Sequence, residues 1–485
     1  MKSEFPKTSQ QLALLLGVAL CECFTSAQLV RTWGYREYFF VDGILGTTWK
    51  DAYLPLVEGK IGEFIKKNIA FEELETSVAS AAGLFSLHGQ ELLKHQLPSQ
   101  KNALVQLLRW GDWAVPLDVH SILEEGCYCV LQEAFFLGEC EGNPIIRIVG
   151  VLTDKQKKIK KIPSLSLKDP NRLLTELELL QSSETGWSYL PKGEFAREIL
   201  KKTWQEKAHE ENILFVSTPC GRSLEEASQE MQCLGVPSSA QVTYLLHEEP
   251  YFDYGVLTPR EGFQDLFCLE VPEQKLFDTL ISSLQMMRRI PRIFSFETRV
   301  VLRAPQSSSD LSVLKKVLEN ESYDLEVGAV KQAEIEMRWV DAMGCTWAGP
   351  KLEIAKKISR SGRRVVLGSM FGSWERFFAL LVQREQGIPF EFVKEQMRIF
   401  TACPRAKEYA DEVQKQLEQA GLRSSVDQQA TLLNGRIHQA LKERVPYLIV
   451  VGLKEQASQR ITWRTCGNET ETTATVGEFL NMVKL

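Results

Sequence analysis

From position 396 onward, the spacing of apolar residues switches back and forth between two periods. "MRIFTAC" (397–403) is a short apolar run and predicts a buried strand. In "RAKEYADEVQKQLEQAG", Ala406, Tyr409, Ala410, Val413 and Leu417 recur three or four apart, which is one helical face, and Gly421 marks its stop. A second strand ("LRSSVD"), a helix over 434–443 and a fully buried strand ("PYLIVVG", 446–452) follow. A fourth strand ("RITWRTC", 460–466) and a closing helix ("VGEFLNMV") end the series. Helices alternating with buried strands predict a small α/β domain.

Upstream the pattern is more mixed. Residues 12–30 predict one apolar helix. "YREYFFVDG" (35–43) alternates as a strand does and ends on Asp-Gly, a hairpin signal. "LVEGKIGEFIKKNI" (56–69) is amphipathic, with Leu56, Ile61, Phe64 and Ile65 on one side. Strand-like runs continue to Val151. The lysine-rich stretch 154–170, with its serines and prolines, predicts a linker. From 171 to about 392, longer helices (194–211) mix with strands (213–219, 294–304), as in an α+β domain on an antiparallel sheet. "GSMFGSWERFFALL" (368–381) predicts a glycine-marked entry into a helix whose "FFALL" faces the core.

Composition narrows the function classes. The chain has 485 residues, 44% of them hydrophobic and 25% charged, enough for two to four domains with real cores. Net charge is −6, which excludes a protein basic overall, as a dedicated DNA binder would be. The charge is uneven: residues 396–485 carry about +2, so a local RNA-facing surface is compatible with an acidic body. The eleven cysteines are scattered, and the close pairs Cys21/Cys23 and Cys127/Cys129 lack zinc-finger spacing. They predict reduced thiols in a cytoplasmic protein. "LALLLGVALCECF" (12–24) is too short to span a membrane and lacks a cleavage site, so no membrane association is expected.

The order of these elements resembles the threonyl-tRNA synthetases, over nearly the whole chain. "EQAGLRSSVD" and "RVPYLIVVGLKEQASQRITWRTCG" look like the class II anticodon-binding domain. "WVDAMGCTWAGPKLEI" (339–354) is similar to a late strand of the family's catalytic core, and "GSMFGSWERF" to motif 3. "HEEPYFDYGVLTPREGFQD" (247–265) resembles motif 2, and "ILFVSTP" resembles motif 1, with Pro219 as its proline. Residues through 161 are similar to the editing domain, and no counterpart of the small ubiquitin-like domain that often precedes it is expected. The resemblance implies an α+β multidomain fold: an editing-like domain (1–153), a linker (154–170), a degenerate class II core (171–395) and an α/β anticodon-binding-like domain (396–485).

The resemblance also implies which chemistry is missing. Adenylation needs cations that hold the triphosphate as charge builds on it. Arg376 matches the motif 3 arginine, with Gly372 and Ser373 before it; Arg260 lies in the later arm of motif 2, and Glu249 keeps that motif's glutamate. These five residues form an expected ATP-site remnant. The first motif 2 arginine is His247, which is mostly neutral at cytosolic pH and lacks a guanidinium's two-pronged fork. The family holds threonine through a zinc with one cysteine and two histidines, because an apolar pocket alone discriminates poorly against an isosteric side chain. Cys220 and Cys233 lie outside that cysteine's context, Asp265 is followed by "LFC" with no histidine, and Leu367 stands at the second histidine. No bound zinc and no catalytic residue are therefore expected. The editing histidine pair matches Leu14 and Val18, and the editing cysteine matches Pro116; only His120 survives.

In the C-terminal domain, two anticodon-facing residues match Gln429 and Gln439, while Asn434, Arg436, His438 and Arg444 remain as RNA-binding candidates. Three readings stay open. One is a non-catalytic relative that binds tRNA or a translation-related protein. Another is a divergent zinc-independent ligase that activates an amino or carboxylic acid with ATP. The third is a homodimeric scaffold built on motif 1.

Overall fold

Thr8 opens the first helix, α1 (Ser9–Cys23): its hydroxyl accepts from the Gln11 N–H, while the Gln11 side chain accepts from the Thr8 N–H. The computed structural model describes residues 8–483 except 36–37, 68–69, 99–102, 118–127, 154–168, 184–185, 218–223, 234–235, 246–251, 306–307, 328–329, 331, 356–361, 386, 430 and 469. The chain forms two units, Met1–Ser188 with Lys202–Gly387, and Tyr189–Lys201 with Ile388–Leu485.

In the first unit, α1 is buried from Leu12 to Leu20 and serves as the centre of the N-terminal core. The apolar run expected to be helical to position 30 instead divides. The chain leaves the helix at Cys23 and enters β1 (Gln28–Tyr35), because an unbroken apolar run carries no period that separates the two. β1 pairs with β2 (Tyr38–Ile44), and the hairpin closes at Tyr35 and Tyr38, so Asp42-Gly43 lies inside β2 rather than at a turn. α2 (Leu54–Lys66) buries Val57, Ile61 and Phe64 on its apolar face. Then come β3 (Phe71–Ser77), α3 (Val78–Leu87), β4 (Leu104–Trp110) and β5 (Trp113–Pro116), the three strands forming their own sheet. β6 (Tyr128–Cys140) and β7 (Asn143–Thr153) complete the N-terminal sheet in the order β1-β2-β7-β6, all antiparallel.

Most of the expected linker lies outside the described residues. At its end, the Asp169 carboxylate accepts from the Asn171 N–H and caps α4 (Pro170–Glu176). β8 (Leu180–Ser182), β9 (Trp187–Tyr189) and α5 (Pro191–Glu210) lead to the central sheet. Its elements are β10 (Leu214–Ser217), α6 (Leu224–Cys233), β11 (Ser238–Leu245), β12 (Glu261–Val271), α7 (Leu276–Met287), α8 (Arg289–Ile293) and β13 (Thr298–Ala304). They continue as α9 (Leu311–Val317), β14 (Asp324–Val327), β15 (Glu334–Val340), β16 (Thr346–Trp347), β17 (Lys351–Ile354), β18 (Arg364–Gly368) and α10 (Trp374–Glu385). The strand order is β10-β11-β12-β18-β17-β15-β13-β14, with β16 on β15. Only the two edge pairs, β10–β11 and β13–β14, are parallel.

The N-terminal sheet is joined to the central sheet by buried charge. The Arg147 guanidinium donates through Nε and Nη2 to the two Asp42 carboxylate oxygens, at 2.7 Å each, and lies 3.9 Å from the Phe40 ring centre. The Arg147 Nη2 also reaches Cys345 Sγ at 3.8 Å. Beside it, the Tyr35 hydroxyl donates to Glu297 at 3.0 Å. Gly344, at φ +79°, lies so close to the Tyr35 ring that any Cβ there would meet it at 2.4 Å.

The second unit is a doubly wound sheet. Its elements are β19 (Met397–Thr401), α11 (Lys407–Gln419), β20 (Ser424–Asp427), α12 (Leu433–Lys442), β21 (Tyr447–Val451), α13 (Leu453–Ser458), β22 (Ile461–Thr465), β23 (Thr472–Ala474) and α14 (Val476–Val483). The order is β20-β19-β21-β22-β23, with β19 parallel to both its neighbours. The predicted face of α11 packs Tyr409, Ala410, Val413 and Leu417 onto Met397, Ile399, Ile449 and α14. α12 covers the other face through Ala440 against Phe400 and Leu448.

Removing one member of a buried ion pair strands the other charge. Arg147→Ala is therefore expected to destabilise the first unit by about 3–5 kcal/mol, read by urea unfolding. A change under about 1 kcal/mol would show that Asp42 finds another partner or water.

Candidate functional site

Alternation along the central strands divides the sheet into two faces. On one face, Trp339 of β15 packs against Phe377 of α10 at 5.1 Å between ring centres and donates its indole N–H to the Phe371 carbonyl at 3.1 Å. This face is the core side, and α10 is buried along almost its whole length. The other face carries Leu367, the position where the family resemblance expects a zinc-ligating histidine. Leu367 stands beside Cys268 of β12 and Glu353 of β17 in the strand register.

That second face is filled. Ala227 and Met231 of α6 pack on Ala240 and Val242 of β11, Leu266 and Cys268 of β12, and Val365 and Leu367 of β18. All are buried. Leu367 gives the helix an apolar seat, and Met231, unbranched and adaptable, packs in the same cluster.

Farther across the same face, the charged residues pair with one another. Arg303 binds Glu334 at 2.9 Å and Glu326 at 3.3 Å; Arg338 binds Glu326 at 2.9 Å and Glu336 at 3.0 Å; Lys351 lies 3.3 Å from Glu353 and 3.7 Å from Glu334. Seven charges on four strands thus form one network. Burial raises the Glu334 carboxyl above its usual range, opposed by Lys351 and Arg303. Among the described residues, no three His, Cys, Asp or Glu gather as a metal-ligand set.

The start of α10 holds three of the predicted nucleotide residues. Gly372 is at φ +70°, and a Cβ there would meet the Gly349 carbonyl oxygen at 2.7 Å. The Ser373 hydroxyl accepts from the Arg376 N–H at 3.2 Å, as a helix cap does, and bonds Glu375 at 3.1 Å. Arg376 donates through Nε to the Leu257 carbonyl at 2.6 Å and through Nη1 to the Ala348 carbonyl at 2.9 Å. It ties the segment before β12 to the turn before β17. Arg260 pairs with Asp253 at 2.9 Å. Asp253 is in turn bridged, backbone to backbone, to Glu139 of β6. So the arginines expected to face phosphate are both engaged in holding the motif 2 arm. Glu249, His247, His120, Pro219 and Cys220 lie outside the described residues, as does the side chain of Cys233.

Sequence reasoning missed two acidic residues that organise this region. Glu375, buried, accepts from the Phe263 N–H at 3.0 Å, and a Cβ on Gly262 would strike its carboxylate. Asp265, fully buried, accepts from the backbone N–H groups of Met370 and Phe371, the latter at 3.0 Å. Burial pushes its pKa up to about 6, against the lowering effect of those N–H donors. A carboxylate in the middle of an apolar strand was the available signal. Leu14 and Val18, which the resemblance matches to the editing histidine pair, are fully buried in the N-terminal core.

In the second unit, the RNA candidates separate. Asn434, His438 and the predicted anticodon-position Gln439 are exposed on α12, and Arg444 is exposed just after it. Arg436 is not with them. It is buried, donating to the Thr401 carbonyl at 2.8 Å and the Asp427 carbonyl at 3.2 Å, with Asp427 Oδ1 at 3.6 Å. Helical spacing turns position 436 toward the sheet, so this arginine caps strand ends instead of meeting RNA.

Known proteins agree with this architecture. The family described as "Anticodon binding domain" matches residues 393–484. A threonine–tRNA ligase of Oleidesulfovibrio alaskensis is 22% identical, with 89% of this chain and 79% of that protein aligned. A threonine–tRNA ligase of Sulfurihydrogenibium sp. is 21% identical, with 92% and 82% aligned. The RNA binding domain of the Cryptosporidium parvum threonyl-tRNA synthetase shares the fold at a TM-score of 0.55 and 17% identity, over 65% of this chain and 97% of that one.

The raised pKa of Asp265 has a definite sign. A carboxyl whose pKa is higher folded than unfolded holds its proton better in the native state, so stability falls as pH rises from about 4 to about 6. The loss is at most about 3 kcal/mol. Asp265→Asn should abolish that slope in thermal melts taken across the interval. It should also lower stability at pH 5 by about 1–3 kcal/mol, through a weaker hold on the Met370 and Phe371 N–H groups. An unchanged slope in the variant would assign the pH dependence to other groups.

Residues 393–484 thus match the anticodon-binding family, and the chain as a whole is similar to threonine–tRNA ligases along most of its length.

Proposed function

We propose that this protein is a non-catalytic member of the threonyl-tRNA synthetase family that acts by binding tRNA through its C-terminal unit. One observation carries the reading: Ala227 and Met231 of α6 occupy the sheet face at Leu367, where the family's amino-acid site belongs. The self-satisfied network of Arg303, Arg338, Lys351 and four glutamates supports it further, because each charge a substrate would need already has a partner. The RNA side rests on the anticodon-binding family match and on the exposed Asn434, His438 and Arg444. The exposed apolar residues Leu214 and Phe215 on the edge strand β10 support a homodimer through that edge.

The test uses the full chain. It should bind total tRNA with an affinity that falls steeply with salt, and Arg444→Glu with His438→Glu should weaken binding at least about fivefold. Threonine-dependent exchange of pyrophosphate into ATP should be absent. Exchange with threonine, or with any member of an amino-acid panel, would overturn the non-catalytic reading in favour of a divergent ligase. A chain that binds no tRNA at low salt would overturn the RNA reading. Light scattering at micromolar concentration checks the dimer, which Leu214→Asp with Phe215→Asp should convert to monomer.

A further inference from the structure

The joint between the N-terminal and central sheets contains more hydrogen-bond donors than acceptors. Arg31, Asp42 and Arg147 lie side by side on β1, β2 and β7: Arg31 is paired with Asp42, and Asp42 with Arg147, in the strand register. The register of β1 shifts between Leu29 and Arg31, a bulge that re-aims the side chain after it. Both Asp42 oxygens are taken by Arg147. Arg31 is thus a second cation in a row with a single anion, and its guanidinium makes no hydrogen bond or ion pair with the described residues.

Its surroundings repeat the shortage. Arg31 lies 5.9 Å from the Trp33 ring centre and 6.0 Å from that of Trp347, with Tyr254 and Cys345 as its other electrostatic neighbours. The Trp33 indole N–H is buried without an acceptor. Tyr254, a buried residue, brings its hydroxyl to the same group. The other acids at this joint have partners of their own: Asp341 Oδ1 accepts from the Met343 and Cys345 N–H groups and Oδ2 from the Trp347 indole at 2.9 Å, and Glu297 accepts from the Tyr35 hydroxyl.

A guanidinium and an indole N–H can only donate. Buried polar groups are otherwise nearly always paired, and leaving one unpaired costs about 1–3 kcal/mol. A carboxylate or phosphate supplies the acceptors that these donors lack, and the tyrosine hydroxyl can donate to it as well. The two indole rings beside Arg31 leave flat apolar walls for the rest of such a molecule.

We propose that Arg31, Trp33 and Tyr254 form a binding site for a small oxyanion, a carboxylate or a phosphate, at the joint between the N-terminal and central sheets. The site is separate from the face at Leu367 and from the C-terminal RNA candidates, so it stands whether or not the protein binds tRNA.

The test is a thermal-shift and calorimetric titration of the full chain with inorganic phosphate, and separately with benzoate, against chloride at matched ionic strength. At least one oxyanion should raise Tm saturably, as a ligand of the native state does. Phosphate alone would assign a phosphate site, and benzoate alone a carboxylate site with use of the aromatic walls. Arg31→Gln should abolish the effect. Trp33→Phe and Tyr254→Phe, which keep the rings, should each weaken binding at least about threefold, and they stand in if Arg31→Gln fails to fold. No saturable shift with either anion beyond chloride would overturn the proposal. So would wild-type affinity in Arg31→Gln, or in both phenylalanine variants.

Discussion

A broad sheet cannot leave an apolar face to water, and in this molecule that constraint decides what covers each side of the central sheet. One side of the central sheet is covered by α10, as the core requires. On the other side, leucine at 367 and a small apolar set around it make the surface adhesive for a helix, and α6 occupies it. Once that helix is seated, burial of Met231, Leu266 and Leu367 favours the closed face. Methionine or leucine truncations in such cores cost about 2–5 kcal/mol. An apolar side chain at 367 and a seated α6 are therefore one feature seen from two sides.

The motif 2 arm is subject to a second constraint. Asp253 bridges Glu139 through the backbone, pairs with Arg260 and accepts from the Gly255 N–H at 2.7 Å. Gly138 lies so close that a Cβ would collide with the Asp253 carbonyl. The N-terminal sheet thus holds the arm directly, and the buried Arg147–Asp42 pair holds that sheet to the turn around Cys345. Buried ion pairs add little net stability compared with apolar packing, but their geometry is demanding. Such a joint fixes register between the two sheets, which a smooth apolar interface would leave less defined.

Much of the architecture was legible in the chain because periodicity is a local property. The face of α11, the buried run 447–451 and the helix after Ser373 all follow from spacing alone. The first helix was read too long, since Leu29 and Val30 continue its apolar run without a break in period. The short α13 and β23 carried no pattern long enough to register. What sequence spacing does not reveal is which polar groups meet. Glu375 read as part of a motif, yet its carboxylate serves the Phe263 N–H. Asp265 read as the place where a histidine was missing, yet it anchors the loop into α10 through two backbone N–H groups. Those partners lie about a hundred positions apart and only folding brings them together.

Arginine identity is the weakest guide of all, and the reason is physical. A guanidinium offers five donors in a rigid plane, which suits a phosphate but equally suits a pair of carbonyl oxygens at the ends of strands. Arg376 takes the second role at Leu257 and Ala348, and Arg436 takes it at Thr401 and Asp427. In an enzyme the same planarity would have been kept for substrate by surrounding it with other donors, so that no protein oxygen could compete. Arg31 comes nearer to that condition: Asp42 and Asp341 are already bonded to other donors, and the neighbouring Trp33 indole N–H is buried without an acceptor among the described residues. The surroundings of an arginine, more than its presence in a motif, distinguish a side chain that completes a fold from one left to meet a ligand.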